Sequence, residues 1–249
     1  MTAMDAVRDG YSRFSGTRGK TTLISNYVSS PQKSQVNALL LQHVRRCFPD
    51  LDATLSADPA LILLLLDAPD CATTGAILRG VPALAAHAQR VCIPQADPAH
   101  YAQQIAGAVP SATPSVAAAH LFNIRAQRLD QWLVSNRDAG VRVAVCFADY
   151  ETSIYGKQRA LFSPLRDLQL FMRLRYAHTR CLLGVTLGFR EPHSSRYDTA
   201  APTLSEEDLN DFIASEAEAI GASAVLLETV RYGLTFCLYE INTGSGTCG

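Results

Sequence analysis

Residues 224–230 read AVLLETV and residues 234–241 read LTFCLYEI, with only Arg231-Tyr232-Gly233 between them. Both runs are rich in the apolar, β-branched and aromatic side chains that favour strands. A connection of three residues is too short to contain a crossover helix, so the two strands are expected to pair antiparallel as a hairpin. This hairpin decides the fold class, because the strands that precede it in the sequence alternate with helices.

A capped helix and an alternating pattern lead up to the hairpin. The helix is predicted over 205–220, with Ser205 as its N-cap, Asp208 bonding back to the cap, and Gly221 after its end. Further upstream, short apolar runs alternate with helical patterns, which indicates βαβ units and a largely parallel sheet. The predicted strands are Leu61–Leu66, Arg90–Ile93, Val116–Leu121, Val141–Ala148 and Cys181–Leu187. The predicted helices begin at Ser30-Pro31, Thr73, Pro98, Arg125 and Leu165.

The predicted fold is therefore α/β, with a doubly wound, mostly parallel sheet of seven strands that ends in an antiparallel hairpin. This order of elements resembles the class I, Rossmann-like methyltransferase fold, and the resemblance spans Leu61 to Ile241. It implies a methyltransferase domain at 59–242, with a basic arm and helical extension at 1–58 and a flexible tail at 243–249. It also implies S-adenosylmethionine as the cofactor.

The composition favours a globular protein with a sizeable core, since 48% of the 249 residues are apolar and 18% are charged. The apolar run from Ala60 to Leu66 is far shorter than the roughly 20 residues that cross a bilayer, so no membrane partner is expected. Cysteine and histidine are not clustered, which predicts no metal site. The seven cysteines include no Cys-x-x-Cys pair, and the chain is expected to keep them reduced, in the cytoplasm or nucleus. Those within strand-like runs are expected to be buried: Cys92, Cys146, Cys181 and Cys237.

Ligands of doubly wound sheets bind at the carboxyl ends of the strands, near the point where the strand order reverses. The first strand is followed by DAPDCATTG at 67–75. The resemblance implies an acidic residue and a Gly-x-Gly pattern here, which let the backbone approach the cofactor. This chain keeps the acid but has only Gly75, so a turn-forming role for the acid is the alternative. The residues predicted to contact the cofactor are Asp67, Ala68, Pro69, Thr73 and Thr74.

Polar residues also follow the next two predicted strands. Gln95 and Asp97 come after the second strand, where the resemblance implies an acceptor for the ribose hydroxyls of the cofactor. Asp97-Pro98 is also an ordinary helix start, which leaves both interpretations open. Asn123 comes after the predicted third strand, where the resemblance implies a side chain that meets the adenine amino group.

The strongest candidate for chemistry is Asp149, which directly follows the predicted fourth strand and precedes Tyr150. A carboxylate at the end of a buried strand is costly unless it has partners or a function. Asp149-Tyr150 is similar to the Asp/Asn-Pro-Pro-aromatic motif of nucleic-acid amino methyltransferases, although both prolines are absent. The resemblance implies that Asp149 holds the target amine while the ring of Tyr150 stacks on the base. The implied acceptor is a base nitrogen of RNA or DNA.

The N-terminal 46 residues carry seven basic side chains against two acidic ones. Within them, the arm from Tyr11 to Tyr27 alternates basic and aromatic residues, a composition that suits single-stranded nucleic acid. Arg13, Arg18 and Lys20 are the predicted phosphate contacts. A solvated loop with no partner explains the same composition.

Three other functions fit parts of the sequence. A non-catalytic nucleic-acid-binding or partner subunit would explain the missing glycines after the first strand. A small-molecule or protein methyltransferase would make the basic arm incidental. A Lys-Asp-Lys-Glu tetrad, as in ribose 2′-O-methyltransferases, would have to come from Lys20, Asp149, Lys157 and Glu228. The sequence does not fix the oligomeric state.

Overall fold

The computed structural model describes residues 31–67, 71–95, 123–153, 164–188, 205–232 and 234–244. The helices are α1 (Pro31–Cys47), α2 (Leu51–Ala57), α3 (Ala72–Gly80), α4 (Leu129–Asn136), α5 (Pro164–Arg173) and α6 (Glu206–Ala219), and a 3-10 segment covers Pro82–Arg90. The strands are β1 (Leu61–Leu66), β2 (Val91–Pro94), β3 (Asn123–Arg125), β4 (Arg142–Ser153), β5 (Ala177–Gly188), β6 (Ser223–Arg231) and β7 (Thr235–Asn242).

One seven-stranded sheet has the order β3-β2-β1-β4-β5-β7-β6. The first five strands are parallel to one another, whereas β7 runs antiparallel between β5 and β6. The predicted hairpin, and with it the doubly wound fold class, is confirmed. From β1 the chain moves outward to β2 and β3 and then returns to place β4 on the other side of β1. The strand order therefore reverses between β1 and β4, where open α/β sheets bind their ligands.

Helices cover both faces of the sheet. The α1–α3 layer packs on one face, and its core includes Leu40, Leu63 and Phe147. The α4–α6 layer packs on the other face, and its core includes Trp132 and Cys146. Burial on both faces explains why β1 is a continuous apolar run rather than an alternating one. The four cysteines predicted to be buried are buried and unpaired.

The helix α1 is part of this core. Val36, Leu40 and Val44 are fully buried in the same cluster as residues of β1, β4 and β5. Residues 31–58, which the sequence assigned to an extension, therefore pack with the sheet, because the apolar stripe of α1 needs a surface to cover it. The arm and the end of the tail, at 1–30 and 245–249, lie outside the described residues.

The sequence did not predict the third strand that the structure shows, and it predicted a shorter fourth strand. The prediction at Val116–Leu121 and the helix at Pro98 lie outside the described residues, and the third strand of the sheet is only Asn123–Arg125. The fourth strand is longer than predicted and continues to Ser153. Its polar end stays in the sheet because β5 pairs with it as far as Gly188. The capping box of α6 is confirmed, since Ser205 and Asp208 bond to each other reciprocally.

Candidate active site at the carboxyl ends of β1 and β4

The two candidate carboxylates lie on neighbouring strands at the point where the strand order reverses. Leu66 is paired with Ala148, so the residues that follow this pair are Asp67, directly after β1, and Asp149, within β4. Asp149 does not follow its strand, as predicted, but lies within it, opposite Thr186 of β5. The site is therefore built on sheet backbone, which fixes the position of Asp149 more firmly than a loop would.

Asp67 holds the turn between β1 and α3. Its two carboxylate oxygens accept hydrogen bonds from the backbone N–H groups of Thr73 (3.3 Å) and Thr74 (2.6 Å). Burial raises the pKa of Asp67, and the bond from Thr74 and the charge of Lys33 oppose that rise. The structure thus gives Asp67 the turn-forming role that the sequence left as an alternative.

Thr73 and Thr74, which were predicted to contact the cofactor, have other surroundings in the structure. Thr73 and Thr74 are buried, and the hydroxyl of Thr73 donates to Oδ1 of Asn37 on α1 (3.0 Å). Both threonines are therefore directed into the protein, where Thr73 ties α3 to α1. Ala68, Pro69 and Asp97 lie outside the described residues, as do Arg13, Arg18 and Lys20.

The turn after β1 contains an unusual backbone. Cys71, the N-cap of α3, has φ 50° and ψ 36°, in the left-handed region that favours glycine. Cys71 lies four residues after the acid of β1, within the segment where the resemblance implies a Gly-x-Gly pattern. Cys71 therefore adopts a backbone conformation typical of glycine.

The second and third strands end beside each other. The backbone N–H of Gln95, just after β2, donates to the carbonyl of Arg125 at the end of β3 (2.8 Å). Asn123 is the first residue of β3, at its amino end, so its predicted position at the carboxyl edge is wrong. The error arose because the third strand lies later in the chain than predicted. The charged residues that do follow β3 are Arg128 and Asp130, which form a two-point ion pair (2.9 and 2.6 Å).

Lys33 is the residue that sequence reasoning missed. It lies in the first turn of α1, and its ammonium forms an ion pair with Oδ2 of Asp149. Both side chains are largely buried, 14% and 8% exposed, and the ammonium lies 4.8 Å from the centre of the Phe147 ring. The partners are 116 residues apart in the chain, so no local pattern reveals the pair.

The pKa of Lys33 is raised although its side chain is largely buried. Burial alone acts to lower the pKa, but the charge and hydrogen bond of Asp149 and the nearby charge of Asp67 outweigh it. The ammonium therefore stays charged at neutral pH. At this edge the structure places the ammonium of Lys33 against the carboxylate of Asp149 and within the electrostatic influence of Asp67.

Tyr150 does not lie where the motif placed it. Its side chain is 4% exposed and packs in the core on the α4–α6 side. Its hydroxyl donates to Oδ2 of Asp167 in the first turn of α5 (2.8 Å). Successive residues of a strand point to opposite faces, so Tyr150 points away from the face that Lys33 covers. The predicted stacking of Tyr150 on a base is not available in this arrangement.

The tetrad considered from the sequence is not assembled in the described residues. Asp149 pairs with Lys33, and Glu228 of β6 lies 3.1 Å from Nε2 of His43 on α1. Lys20 and Lys157 lie outside the described residues. Within the described ranges, no group of three or more His, Cys, Asp or Glu is placed to hold a metal ion. No helix in those ranges is long and apolar enough to cross a membrane.

The strand order, with antiparallel β7 between β5 and β6, defines the class I methyltransferase fold. No family model and no curated protein matches the sequence. Among solved structures, a proposed O-methyltransferase from Klebsiella pneumoniae is similar, with 16% identity over 96% of this chain and 89% of that one and a TM-score of 0.49. A proposed methyltransferase from Escherichia coli has 14% identity, covers 82% and 86%, and has a TM-score of 0.45. An S-adenosylmethionine-dependent methyltransferase from Agrobacterium tumefaciens has 10% identity, covers 86% and 63%, and has a TM-score of 0.49.

Proposed function

We propose that this protein is an S-adenosylmethionine-dependent methyltransferase that acts on nucleic acid. The observation that carries the proposal is the position of Asp149. Its carboxylate lies within a sheet of methyltransferase strand order, at the point where that order reverses. A buried carboxylate at that place is the group expected to receive a proton from a methyl acceptor.

The residues at this edge fit the cofactor. S-adenosylmethionine, when bound, supplies a methyl group on a positively charged sulfur, and Asp149 is the carboxylate proposed to face the methyl acceptor beside it. The left-handed backbone of Cys71 shapes the turn in which the fold normally uses glycine. Gln95, beside the joined ends of β2 and β3, is the described residue proposed to face the cofactor ribose.

The protein supplies alignment and a place for the acceptor proton. Direct displacement at a methyl group needs the acceptor atom in line with the bond between the methyl group and sulfur. Binding both reactants in a fixed geometry lowers the activation barrier, because their translational and rotational entropy is lost on binding and not in the transition state. Asp149 would take up the proton that the methyl acceptor loses. The ion pair with Lys33 holds the carboxylate of Asp149 in one position. The burial of both side chains excludes water from their contact.

A methyl-transfer assay tests the proposal. Protein and labelled S-adenosylmethionine are incubated separately with RNA, with DNA and with a protein extract, and incorporation is measured. We expect incorporation into nucleic acid. Incorporation into the protein extract alone would favour the protein methyltransferase. Cofactor binding with no incorporation into any acceptor would favour a non-catalytic subunit, the function that the missing Gly-x-Gly pattern supports.

The nucleic-acid part of the proposal depends on the basic arm. Replacing Arg13, Arg18 and Lys20 together by alanine is expected to weaken RNA or DNA binding and to lower the slope of log affinity against log salt by about 2–3, because up to three phosphate contacts are lost. Affinity for S-adenosylhomocysteine should not change. The measurement is a fluorescence titration at several salt concentrations. An unchanged slope would mean that the arm is a solvated loop.

A further inference from the structure

We propose that the outer edge of β6 pairs with β6 of a second copy of this chain, so that the protein forms a symmetric dimer. The pairing involves residues 223–227, the edge segment, which form the first half of β6. The strands β5 and β7 lie between β6 and β4, so this surface is separate from the candidate active site. The dimer does not depend on methyl transfer.

The first half of β6 exposes apolar side chains. Among the described residues, β6 is an outermost strand of the sheet, and no strand pairs with its outer side. Val225 is 52% exposed and Leu226 is 39% exposed, and they are two of the three large apolar residues exposed in the described part of the chain. An unpaired edge of this kind is a template for another strand, and proteins usually block it with lysine, proline, a bulge or an inward-pointing charge.

The second half of β6 has such protection, and the edge segment does not. A bulge lies between Leu226 and Glu228. Beyond the bulge, Glu228 lies 3.1 Å from Nε2 of His43 on α1, and Arg231 forms an ion pair with Glu206 of α6 (2.7 Å). The edge segment reads SAVLL, without a charge or a proline. It is therefore the part of this edge that is suited to accept another strand.

The edge segment is complementary to itself. An antiparallel pair with its two-fold axis at Val225 brings the Val225 side chains of the two copies together and places each Leu226 opposite Ala224 of the other copy. Ala224 and Leu226 both face the α4–α6 side, where their partners on β7 belong to the core. Val225, between them, faces the other side of the sheet. A large residue therefore meets a small one twice, and two β-branched residues meet once.

The charges favour a second copy in this register. Glu228 would lie opposite residue 222 of the other copy, before that strand begins, so no carboxylate enters the new ladder. Moving the axis by one residue, to Leu226, would place Glu228 opposite Ala224 within the ladder. A closed dimer needs the same surface patch on both copies, which a self-complementary segment provides.

The test is sedimentation velocity of the full chain at concentrations from about 1 to 100 μM. We expect a species of twice the mass of one chain at the upper end of this range. Val225→Lys should raise the dissociation constant of the dimer about 100-fold or more, because two like charges would meet at the axis in place of two apolar side chains. Val134→Lys, on α4, is the matched control, since Val134 is 46% exposed and lies outside the edge segment. It should dimerise as wild type does.

A mixture of two variants tests the register. The Val225→Lys and Val225→Glu proteins should each be monomeric alone and should associate when mixed, because opposite charges then meet at the axis. Circular dichroism confirms that each variant is folded. A wild type that is monomeric at 100 μM would overturn the proposal, and so would a dimer that persists in Val225→Lys. A mixture of folded variants that stays monomeric would overturn the pairing of Val225 with itself.

Discussion

Asp149→Ala is expected to lower methyl transfer by about 100-fold or more, because general-base assistance contributes rate factors of that size and larger. The affinity for S-adenosylhomocysteine should stay within about threefold of wild type, since Asp149 is proposed to act on the acceptor and not to hold the cofactor. The measurement combines turnover of a nucleic-acid substrate with isothermal titration of the variant. Full turnover by a folded Asp149→Ala protein would remove Asp149 from the proposed mechanism.

The structure also predicts the effect of Asp149→Ala on stability. Loss of Asp149 leaves the buried ammonium of Lys33 without its main partner, so we expect the free energy of unfolding to fall by about 3 kcal/mol. The matched variant is Lys33→Met combined with Asp149→Leu, which replaces the pair by apolar side chains of similar volume. It should regain most of the lost stability and remain inactive, which separates folding from catalysis.

The second large effect is on the pH dependence of stability, and it arises at Asp167. This residue lies in the first turn of α5 and accepts a hydrogen bond from the hydroxyl of Tyr150. Burial raises the pKa of Asp167 from 3.8 to about 7, partly opposed by the hydrogen bond from Tyr150, while Asp130 adds to the rise and Arg128 opposes it. The folded protein therefore keeps this proton up to about pH 7, whereas the unfolded chain releases it near 3.8. Stability from this group is fully present below about pH 4 and is lost as the pH rises to about 7.

Asp167→Asn is expected to remove the loss of stability that Asp167 causes as the pH rises from about 4 to about 7. The amide oxygen still accepts the hydrogen bond from Tyr150, but no buried charge forms, so at pH 8 the variant should be more stable than wild type by about 2–4 kcal/mol. Urea unfolding at several pH values between 4 and 8 measures the effect. Asp211→Asn, on the exposed side of α6, is the control and should keep the wild-type pH dependence. The same pH slope in Asp167→Asn as in wild type would show that Asp167 is already ionised at low pH.

The order of strands and helices along the chain was predictable because it depends on local patterns. Proline residues bracket the apolar run of β1, and the short connection after β6 permits only a hairpin. The parallel strands could be placed for the same reason, since strands buried on both faces are continuous apolar runs. β3 was missed because three residues, Asn123–Arg125, are too few to carry a pattern.

The site was less predictable because it depends on contacts between distant residues. Asp149 was found from its place near the end of an apolar run. The ion pair with Lys33 was not found, because α1 reaches β4 only through the packing of its apolar stripe on the sheet. Tyr150 was misplaced because the sequence ended β4 at Ala148. Once β4 continues to Ser153, alternation along the strand directs Tyr150 to the opposite face.

The most direct test of the central claim is isothermal titration of the full-length protein with S-adenosylmethionine and with S-adenosylhomocysteine. The claim predicts that both bind at one site per chain, with Kd between about 1 μM and 1 mM, the range usual for enzyme substrates. Thermal unfolding with and without ligand checks the result independently, because a ligand that binds the folded state raises Tm. Absence of both heat and a thermal shift at millimolar ligand would contradict the claim and leave a methyltransferase fold without methyltransferase function.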